Sequence, residues 1–309
     1  MNRLPVRAHS ALGILTLCLA TAAAGQESEG KPATFEIELG LGGEYDSNVS
    51  VREVDKASNE GDYALIADAS FEVKKTLSER YDITATYDVS QTMYDEFDFV
   101  DRQTHILGAD LARNGASVDT GLSLYYINSR LDGDDFLDFY RVSPSISGFI
   151  ARTWFARGAY VYADKSIINT PDRDADSQSL EVDLYAFRRG LRSYFNIGYR
   201  FKKENAVAAQ FDYTSNSVKL RYIHRFDMFE RLAKLELSWR FEDRDYRAVT
   251  PGIGEDRGDD RNRWRVDFEV PLIGSSGMAL FYGYADYASN VDAADYTQTV
   301  AGTRVYYRW

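Results

Sequence analysis

Apolar and polar residues alternate along most of this chain, with the two-residue period of a β-strand whose faces meet different surroundings. In the first such segment, FEIELGLGGEY, Phe35 and Leu39 share one face and Glu36 and Glu38 share the other. Each segment has about the length that a tilted strand needs to cross an outer membrane. The pattern predicts fourteen strands, over residues 35–45, 64–74, 81–94, 102–113, 117–127, 139–150, 153–163, 178–187, 192–202, 214–225, 232–243, 262–272, 278–289 and 295–309.

The connections between these segments alternate between short and long. TLSER, NGA and IGSSG follow even-numbered segments, whereas DSNVSVREVDKASNEGD and RDYRAVTPGIGEDRGDDR follow odd-numbered ones and are long and polar. Short turns at one rim and long loops at the other are typical of outer-membrane barrels. We therefore predict an all-β fold, a single antiparallel transmembrane β-barrel of about 14 strands with short periplasmic turns and long extracellular loops.

The first residues differ from the rest. Two arginines precede a short apolar run that ends in small residues, which predicts a signal peptide over residues 1–24. We assign residues 25–33 to a short periplasmic lead-in and residues 34–309 to the barrel. The only cysteine, Cys18, lies in the predicted signal peptide, so we expect no disulfide in the mature chain, no cysteine-ligated metal and no cofactor.

Composition supports the barrel against its alternatives. Aromatic residues make up 14% of the chain, there are only 6 prolines, and the mean hydropathy is -0.41 although apolar residues recur throughout. A soluble secreted β-sandwich or β-solenoid is the alternative fold, but a sandwich has no reason to keep short and long connections in strict alternation. The net charge of -12 argues against nucleic acid as a partner.

If the apolar residues face lipid, the alternate residues face the lumen, where charge is unevenly distributed along the chain. The first half of the chain contributes an acidic arc, which consists of Glu36, Glu38, Asp68, Glu72, Asp82, Asp88, Asp110, Asp119, Glu181 and Asp183. The second half contributes a basic arc with some acids among it, and its cations are Arg200, Lys202, Lys219, Arg221, Lys234, Arg240, Arg263, Arg265, Arg304 and Arg308.

Two interpretations of these arcs are open. Opposing charges across a water-filled lumen would set up a transverse field that orients polar solutes. Alternatively, acids and bases would pair in a network that fills the lumen, because buried charges need partners. The strand number does not decide between them, since fourteen lies between small filled barrels and open sixteen-stranded porins.

The chain ends on an aromatic residue. Val305, Tyr307 and Trp309 alternate on the last segment, which resembles the assembly signal of bacterial outer-membrane barrels. Closure of the barrel would place this segment beside the first one. The last two arginines of the basic arc could then reach the first two glutamates of the acidic arc.

Catalytic chemistry has little support in the sequence. Outside the predicted signal peptide, His105 and His224 are the only histidines, and they lie on different segments with no serine motif beside either. Carboxylates are numerous, but a barrel lumen contains them in any case. We therefore predict that the protein is not an enzyme.

Three similar tetrapeptides, YDSN, YTSN and YASN, begin at Tyr45, Tyr213 and Tyr287, all at predicted extracellular strand ends. We predict that Tyr45 and Tyr287 point outward into an aromatic girdle, with Tyr213 in the opposite register. Asp46 and Asn48 can hydrogen-bond their own backbone where strand pairing stops. A calcium site at these two residues would lack a full ligand set.

The tract GLGGEYDSNVS resembles the start of a group of outer-membrane barrels. The group includes the C-terminal barrel of surface lipoprotein assembly modifier proteins and the barrels called putative β-barrel porin 2. Further tracts similar to the former are SQTMYDEFDFVDRQTH, FDYTSNSVKLRY and YADYASNVDAADYTQTVAGTRVYYRW. The resemblance implies a fourteen-stranded barrel, in some relatives tied to moving lipoproteins or polysaccharide across the outer membrane. The modifiers also carry a periplasmic helical-repeat domain that is not found in this sequence.

Together these features predict a bacterial outer-membrane protein, inserted among outer-membrane lipids by the barrel-assembly machinery after signal-peptide cleavage. Its predicted function is a polar, charge-segregated path, by porin-like diffusion or assisted export. One alternative is a translocator for surface lipoproteins or polysaccharide, which would need a separate periplasmic helical-repeat protein or a lipoprotein client as its partner. The other is a structural or adhesive barrel with a filled lumen.

Overall fold

The computed structural model describes residues 32–228 and 230–309, so the predicted signal peptide and most of the lead-in lie outside the described residues. Fourteen antiparallel strands form one closed barrel, and a two-stranded hairpin lies in the first connection. The strands are β1 (Thr34–Asp46), β2 (Ser50–Val51), β3 (Lys56–Ala57), β4 (Asp62–Ser78), β5 (Tyr81–Tyr94), β6 (Arg102–Arg113), β7 (Asp119–Leu131), β8 (Asp134–Ala151), β9 (Trp154–Ile167), β10 (Ala175–Phe187), β11 (Ser193–Ala206), β12 (Tyr213–Met228), β13 (Arg231–Thr250), β14 (Glu255–Pro271), β15 (Ser276–Ser289) and β16 (Tyr296–Arg308).

The helical content of the described residues is limited to short 3₁₀ turns, none of them long and apolar enough to cross a membrane. We call the barrel end with these turns and the longer connections the loop rim, and the opposite end the turn rim. The turns span Arg52–Val54, Asp98–Val100, Pro171–Arg173, Ala209–Phe211 and Asp292–Ala294.

The two faces of the wall differ as the alternation predicts. Large apolar side chains such as Leu41, Leu180 and Tyr282 are half exposed or more on the outside. Charged side chains of the other register pair with one another inside, often across an intervening strand. Lys165 on β9, for example, contacts Glu204 on β11 at 2.7 Å. Side chains converge on the concave side of a closed sheet, so pairs between next-nearest strands are expected there.

The barrel closes where β16 pairs with β1. Arg304 donates to Glu38 at 2.7 Å and to Asp68 on β4 at 2.6 Å, so its guanidinium joins three strands at the seam. A Cβ atom at position 40 would collide with that guanidinium, which explains the glycine there. Arg308 continues the seam with an ion pair to Glu38.

The predicted strands all occur, but many are longer at the loop rim. β5 and β6 have the predicted bounds, whereas β13 and β14 continue towards each other as a hairpin, with a turn only over residues 251–254. Most of the predicted loop 244–261 is therefore strand. Beyond the apolar band both faces of a strand are polar, so the alternation stops although the backbone pairing continues.

The predicted orientation of Tyr287 is wrong. Its side chain is only 4% exposed and lies inside the barrel, whereas Tyr282 and Tyr284 of the same strand are exposed outside. The pairing of β14 with β15 has no bulge, so alternate residues keep one face along the whole strand. Tyr45 is 40% exposed, as an outward residue should be.

Replacing Arg304 with Gln should weaken the seam, because Glu38 and Asp68 would keep partly buried charges without their main partner. We expect a loss of roughly 1–3 kcal/mol in the free energy of unfolding. Folded and heat-unfolded barrels migrate differently on a denaturing gel. The measurement is the temperature at which the folded form converts to the unfolded form.

Arg192→Gln is the matched control for this prediction. Arg192 pairs with Asp227 at the turn rim, where both side chains are more than half exposed, so little change is expected. An unchanged conversion temperature in Arg304→Gln would show that the seam pairs do not stabilise closure.

Candidate functional site

The connection between β1 and β4, residues 47–61, folds into the mouth of the barrel, and we call it loop 1. Its path is set where β1 ends. The backbone N–H of Asn48 donates to the Asp46 carboxylate at 3.0 Å, and Gln298 of β16 donates to the same carboxylate at 2.8 Å. The Asn48 amide donates to the Thr297 carbonyl at 3.1 Å. The YDSN tract therefore anchors loop 1 to the wall.

Loop 1 reaches the opposite side of the barrel. Asp55 accepts a hydrogen bond from Arg173 at 2.8 Å, and Arg173 lies in the connection between β9 and β10. In the closed strand order, β10 is equally far from β1 in both directions. Asp55 also accepts two hydrogen bonds from Arg257 of β14, at 2.8 and 3.1 Å. These contacts of Asp55 are the latch of loop 1.

A second ion pair and an apolar cluster hold one side of loop 1. Both carboxylate oxygens of Glu53 accept hydrogen bonds from Arg102 of β6, each at 2.9 Å. Val51 packs with the buried side chains of Phe136 and Ile167, and several partly buried hydrophobic residues surround them. Loop 1 thus rests on strands β6 to β9 through apolar contacts as well as charges.

The latch keeps its full strength from neutral to mildly acidic pH. Burial alone would raise the pKa of the Asp55 carboxyl, but hydrogen bonds and charges from Arg257 and Arg173 outweigh burial and hold this pKa well below its usual range. A carboxyl with a depressed pKa contributes stability above its ordinary pKa and loses it only as the pH falls through the depressed value. The latch therefore persists at mildly acidic pH.

Two polar cavities adjoin loop 1. One, of about 340 Å³, is lined mainly by β8 to β15, and the other, of about 370 Å³, is lined mainly by β1, β5 and β14 to β16. Arg52, Arg263 and Tyr287 line both cavities. The Arg52 guanidinium donates to the Tyr287 hydroxyl at 3.4 Å, so loop 1 also contacts the wall where the cavities meet.

The residues of the predicted acidic arc lie on β1, β4 to β7 and β10. Half of them contact a cation. These contacts are Glu36 with Arg308, Glu38 with Arg304 and Arg308, Asp68 with Arg304, Glu181 with Arg141, and Asp183 with Lys219 and Arg157.

Most of the other acids of this arc accept hydrogen bonds from uncharged groups. Glu72 lies opposite Glu36 in the register of β1 and β4. The hydrogen bonds are those of Asp82 with Thr76, Asp88 with Ser70, Asp110 with Ser123 and Tyr125, and Asp119 with the backbone of Gly115.

The residues of the predicted basic arc lie on β11 to β14 and on β16, and most have an acidic partner. Ion pairs join the two arcs at both of their borders, at the seam and between Asp183 of β10 and Lys219 of β12. Arg240 and Arg263 have no ion pair within the described part of the chain. The pairs inside the arc are Arg200 with Glu242, Lys202 with Glu204, Arg221 with Glu236, Lys234 with Glu269, and Arg265 with Asp267.

The predicted assembly residues lie on the outside of the last strand. Val305, Tyr307 and Trp309 are each 42–59% exposed, and the rings of Tyr307 and Trp309 are 4.5 Å apart between centroids. The Trp309 backbone N–H donates to the Ile37 carbonyl at 2.9 Å. The role of these residues in assembly stays a prediction.

The alternation of the sequence does not identify the residues that position loop 1. Glu53, Asp55, Arg102, Arg173 and Arg257 lie in predicted loops or at strand ends, where charge alone does not distinguish a contact from a solvated surface. The apolar residues of loop 1 were an available signal, because valines are unusual in an otherwise polar loop.

The histidines do not join a catalytic group. His105 stacks on Tyr87 and bonds its hydroxyl at 2.8 Å, and His224 stacks between Tyr222 and Phe226. Both belong to the outward register of their strands. Within the described residues, no cluster of His, Cys, Asp and Glu is arranged to hold a metal ion. The Asp46 carboxylate accepts hydrogen bonds from Asn48 and Gln298.

The chain has the fold of outer-membrane β-barrels. An anion-selective porin from Comamonas acidovorans matches 90% of this chain and 99% of its own, with a TM-score of 0.53 and 8% identity. The outer-membrane protein OmpT of Vibrio cholerae, in its trimer form, matches 90% of this chain and 100% of its own, with a TM-score of 0.50 and 9% identity. No family model and no curated protein matches the sequence.

Replacing Asp55 with Asn should release loop 1, because the neutral amide cannot hold two guanidinium groups as the carboxylate does. We expect faster trypsin cleavage after Lys56 at neutral pH, in folded protein in detergent. Cleavage products are quantified by mass spectrometry over time.

Glu60→Gln is the control for the latch variant. Glu60 lies in the same loop and its carboxylate has no ion pair in the described residues, so its cleavage rate should match that of the native chain. Equal rates in Asp55→Asn and the native chain would show that the latch does not restrain loop 1.

Proposed function

We propose that the protein is an outer-membrane channel for small polar solutes, in which loop 1 forms the constriction. The observation that carries this proposal is the span of loop 1, from β1 to the opposite wall, with Asp55 tied to Arg173 and Arg257. A loop fixed across the mouth narrows the lumen at that level and leaves the rest of the barrel interior open.

The outer surface supports the membrane location. Apolar side chains cover the outside, and aromatic residues of the outward register form a stacked group near the turn rim that includes Phe195, Tyr222, Phe226 and Phe268. Aromatic girdles of this kind mark the boundary between lipid and water. In this proposal the turn rim faces the periplasm, the loop rim faces outward, and the partners are outer-membrane lipid and the barrel-assembly machinery.

The inner surface supports a polar path. The side chains of both arcs are charged, and they offer hydrogen-bonding partners to water and polar solutes. An aromatic cluster of Phe155, Tyr185, Phe187 and Tyr194 shares the inward register near the turn rim. Cavities of about 340 and 370 Å³ beside loop 1 suit small solutes rather than folded chains. The similarity to a protein named as an anion-selective porin supports a channel by fold alone.

Assisted export is the second candidate, and it rests on the sequence tracts that resemble surface lipoprotein assembly modifiers. It would require a separate periplasmic helical-repeat protein to deliver a lipoprotein or polysaccharide. A client of that size could pass only if loop 1 left the mouth. A barrel that stays silent in bilayers until such a partner is added would favour export over diffusion.

Replacing residues 51–57 with two glycines should widen the channel, because this change removes the segment that crosses the mouth. We expect single-channel conductance in planar bilayers to rise by roughly twofold or more, since conductance follows the open cross-section of a pore.

The control replaces the turn between β13 and β14, residues 251–254, with two glycines, which leaves the contacts of Asp55 in place. Its conductance should stay near the native value. Native protein that is folded, as judged by the gel shift, but passes no current would contradict the channel. Equal conductance with and without loop 1 would contradict the constriction.

A further inference from the structure

Two arginines face each other inside the barrel without compensation. Arg240 of β13 and Arg263 of β14 are direct partners in the strand register. Like charges directly opposite each other in a sheet are destabilising. Neither guanidinium has an ion pair among the described residues, and the Nε of each is buried without a hydrogen-bond partner.

The same pair of strands shows what compensation looks like. Lys234 and Glu269 are also direct partners, and their charges meet at 2.7 Å. Arg265, on the same face two residues beyond Arg263, pairs with Asp267 at 2.8 Å. On β13 and β14, Lys234 and Arg265 therefore each have a carboxylate partner, whereas Arg240 and Arg263 have none among the described residues.

The acids that follow on the inward face of the same two strands towards the loop rim are already engaged by other cations. Glu242 accepts hydrogen bonds from Arg244 at 3.1 and 3.3 Å. Asp259 accepts hydrogen bonds from Arg257 at 2.7 Å and from Arg261 at 2.9 Å. These two acids therefore do not neutralise the facing pair.

The unpaired charge lies on the path past loop 1. Arg263 lines both cavities, and so does Arg52, which loop 1 brings to the same place from the other side. A solute that moves from one cavity to the other therefore meets guanidinium groups from the wall and from the loop.

We propose that Arg240, Arg263 and Arg52 form a binding subsite for small oxyanions, carboxylates or phosphates, inside the barrel. Guanidinium groups donate paired N–H groups in the planar geometry that these anions accept. A bound oxyanion supplies the missing negative charge and hydrogen-bond acceptors. This inference rests on the channel proposed above and adds the class of solute that the channel prefers.

Binding is tested on folded, detergent-solubilised protein with two probes, inorganic phosphate and succinate, each compared with chloride at equal ionic strength. We expect both probes to raise the unfolding temperature of the native protein, because they bind only the folded barrel. A rise with only one probe assigns the subsite to that class of oxyanion. Arg263→Gln should lose the rise, and Arg263→Lys should keep part of it, since it retains the charge but not the planar group.

Arg265→Gln is the matched control. It removes the same charge from the same strand and face, but from an arginine that already has a carboxylate partner, so the rise should persist. A rise that is equal in the native protein, Arg263→Gln and Arg240→Gln would overturn the subsite. If Arg265→Gln also loses the rise in unfolding temperature, the assignment of the subsite to the unpaired arginines is overturned.

Bilayer measurements separate this inference from the channel itself. With the same salt at different concentrations on the two sides, Arg263→Gln should shift the reversal potential towards cation preference more than Arg265→Gln does. Channels that conduct with the same ion preference in both variants would overturn the subsite and leave the channel standing. Silent bilayers, with a phosphate effect that Arg263→Gln abolishes, would overturn the channel and support the subsite.

Discussion

A sheet that crosses lipid must leave no backbone group unpaired, because no water is available there to bond a free N–H or C=O. The pairing of β16 with β1 meets this requirement by removing both edges. Closure then gives the sheet an inside, and the polar residues of one register are gathered into a confined space. The ion pairs between next-nearest strands, such as Lys165 with Glu204, follow from that confinement.

The same confinement explains why loop 1 turns inward. Arg102, Arg173 and Arg257 lie near the loop rim, and loop 1 supplies the carboxylates of Glu53 and Asp55 to them. Each carboxylate is partly screened from solvent, where charge pairs interact more strongly than in open water. Asp55 also has a left-handed backbone conformation, with φ of 52°. Its two arginine partners stabilise a conformation that the chain adopts rarely by itself.

Sequence alternation predicted the wall because lipid and lumen impose opposite demands on neighbouring residues. It found β5 and β6 to their bounds and failed where that contrast ends, as on the extended β13–β14 hairpin. Tyr287 was assigned to the wrong face, although alternation along β15 from the outward Tyr282 and Tyr284 places it inside. Alternation could not predict the contacts of loop 1, because Asp55 bonds partners that are 118 and 202 residues away in the sequence. Such contacts have no local period, and only the closed barrel brings them together.

Stability and passage make different demands on the inner wall. A wall selected only for stability would pair each inward cation, as Lys234 with Glu269 and Arg265 with Asp267 do. Arg240 and Arg263 face each other on the same two strands without such partners. Because the neighbouring pairs show that a carboxylate fits this ladder, packing does not account for its absence here. Arg263 of this pair lines both cavities beside loop 1, and a mobile anion there would supply the negative charge that the wall lacks.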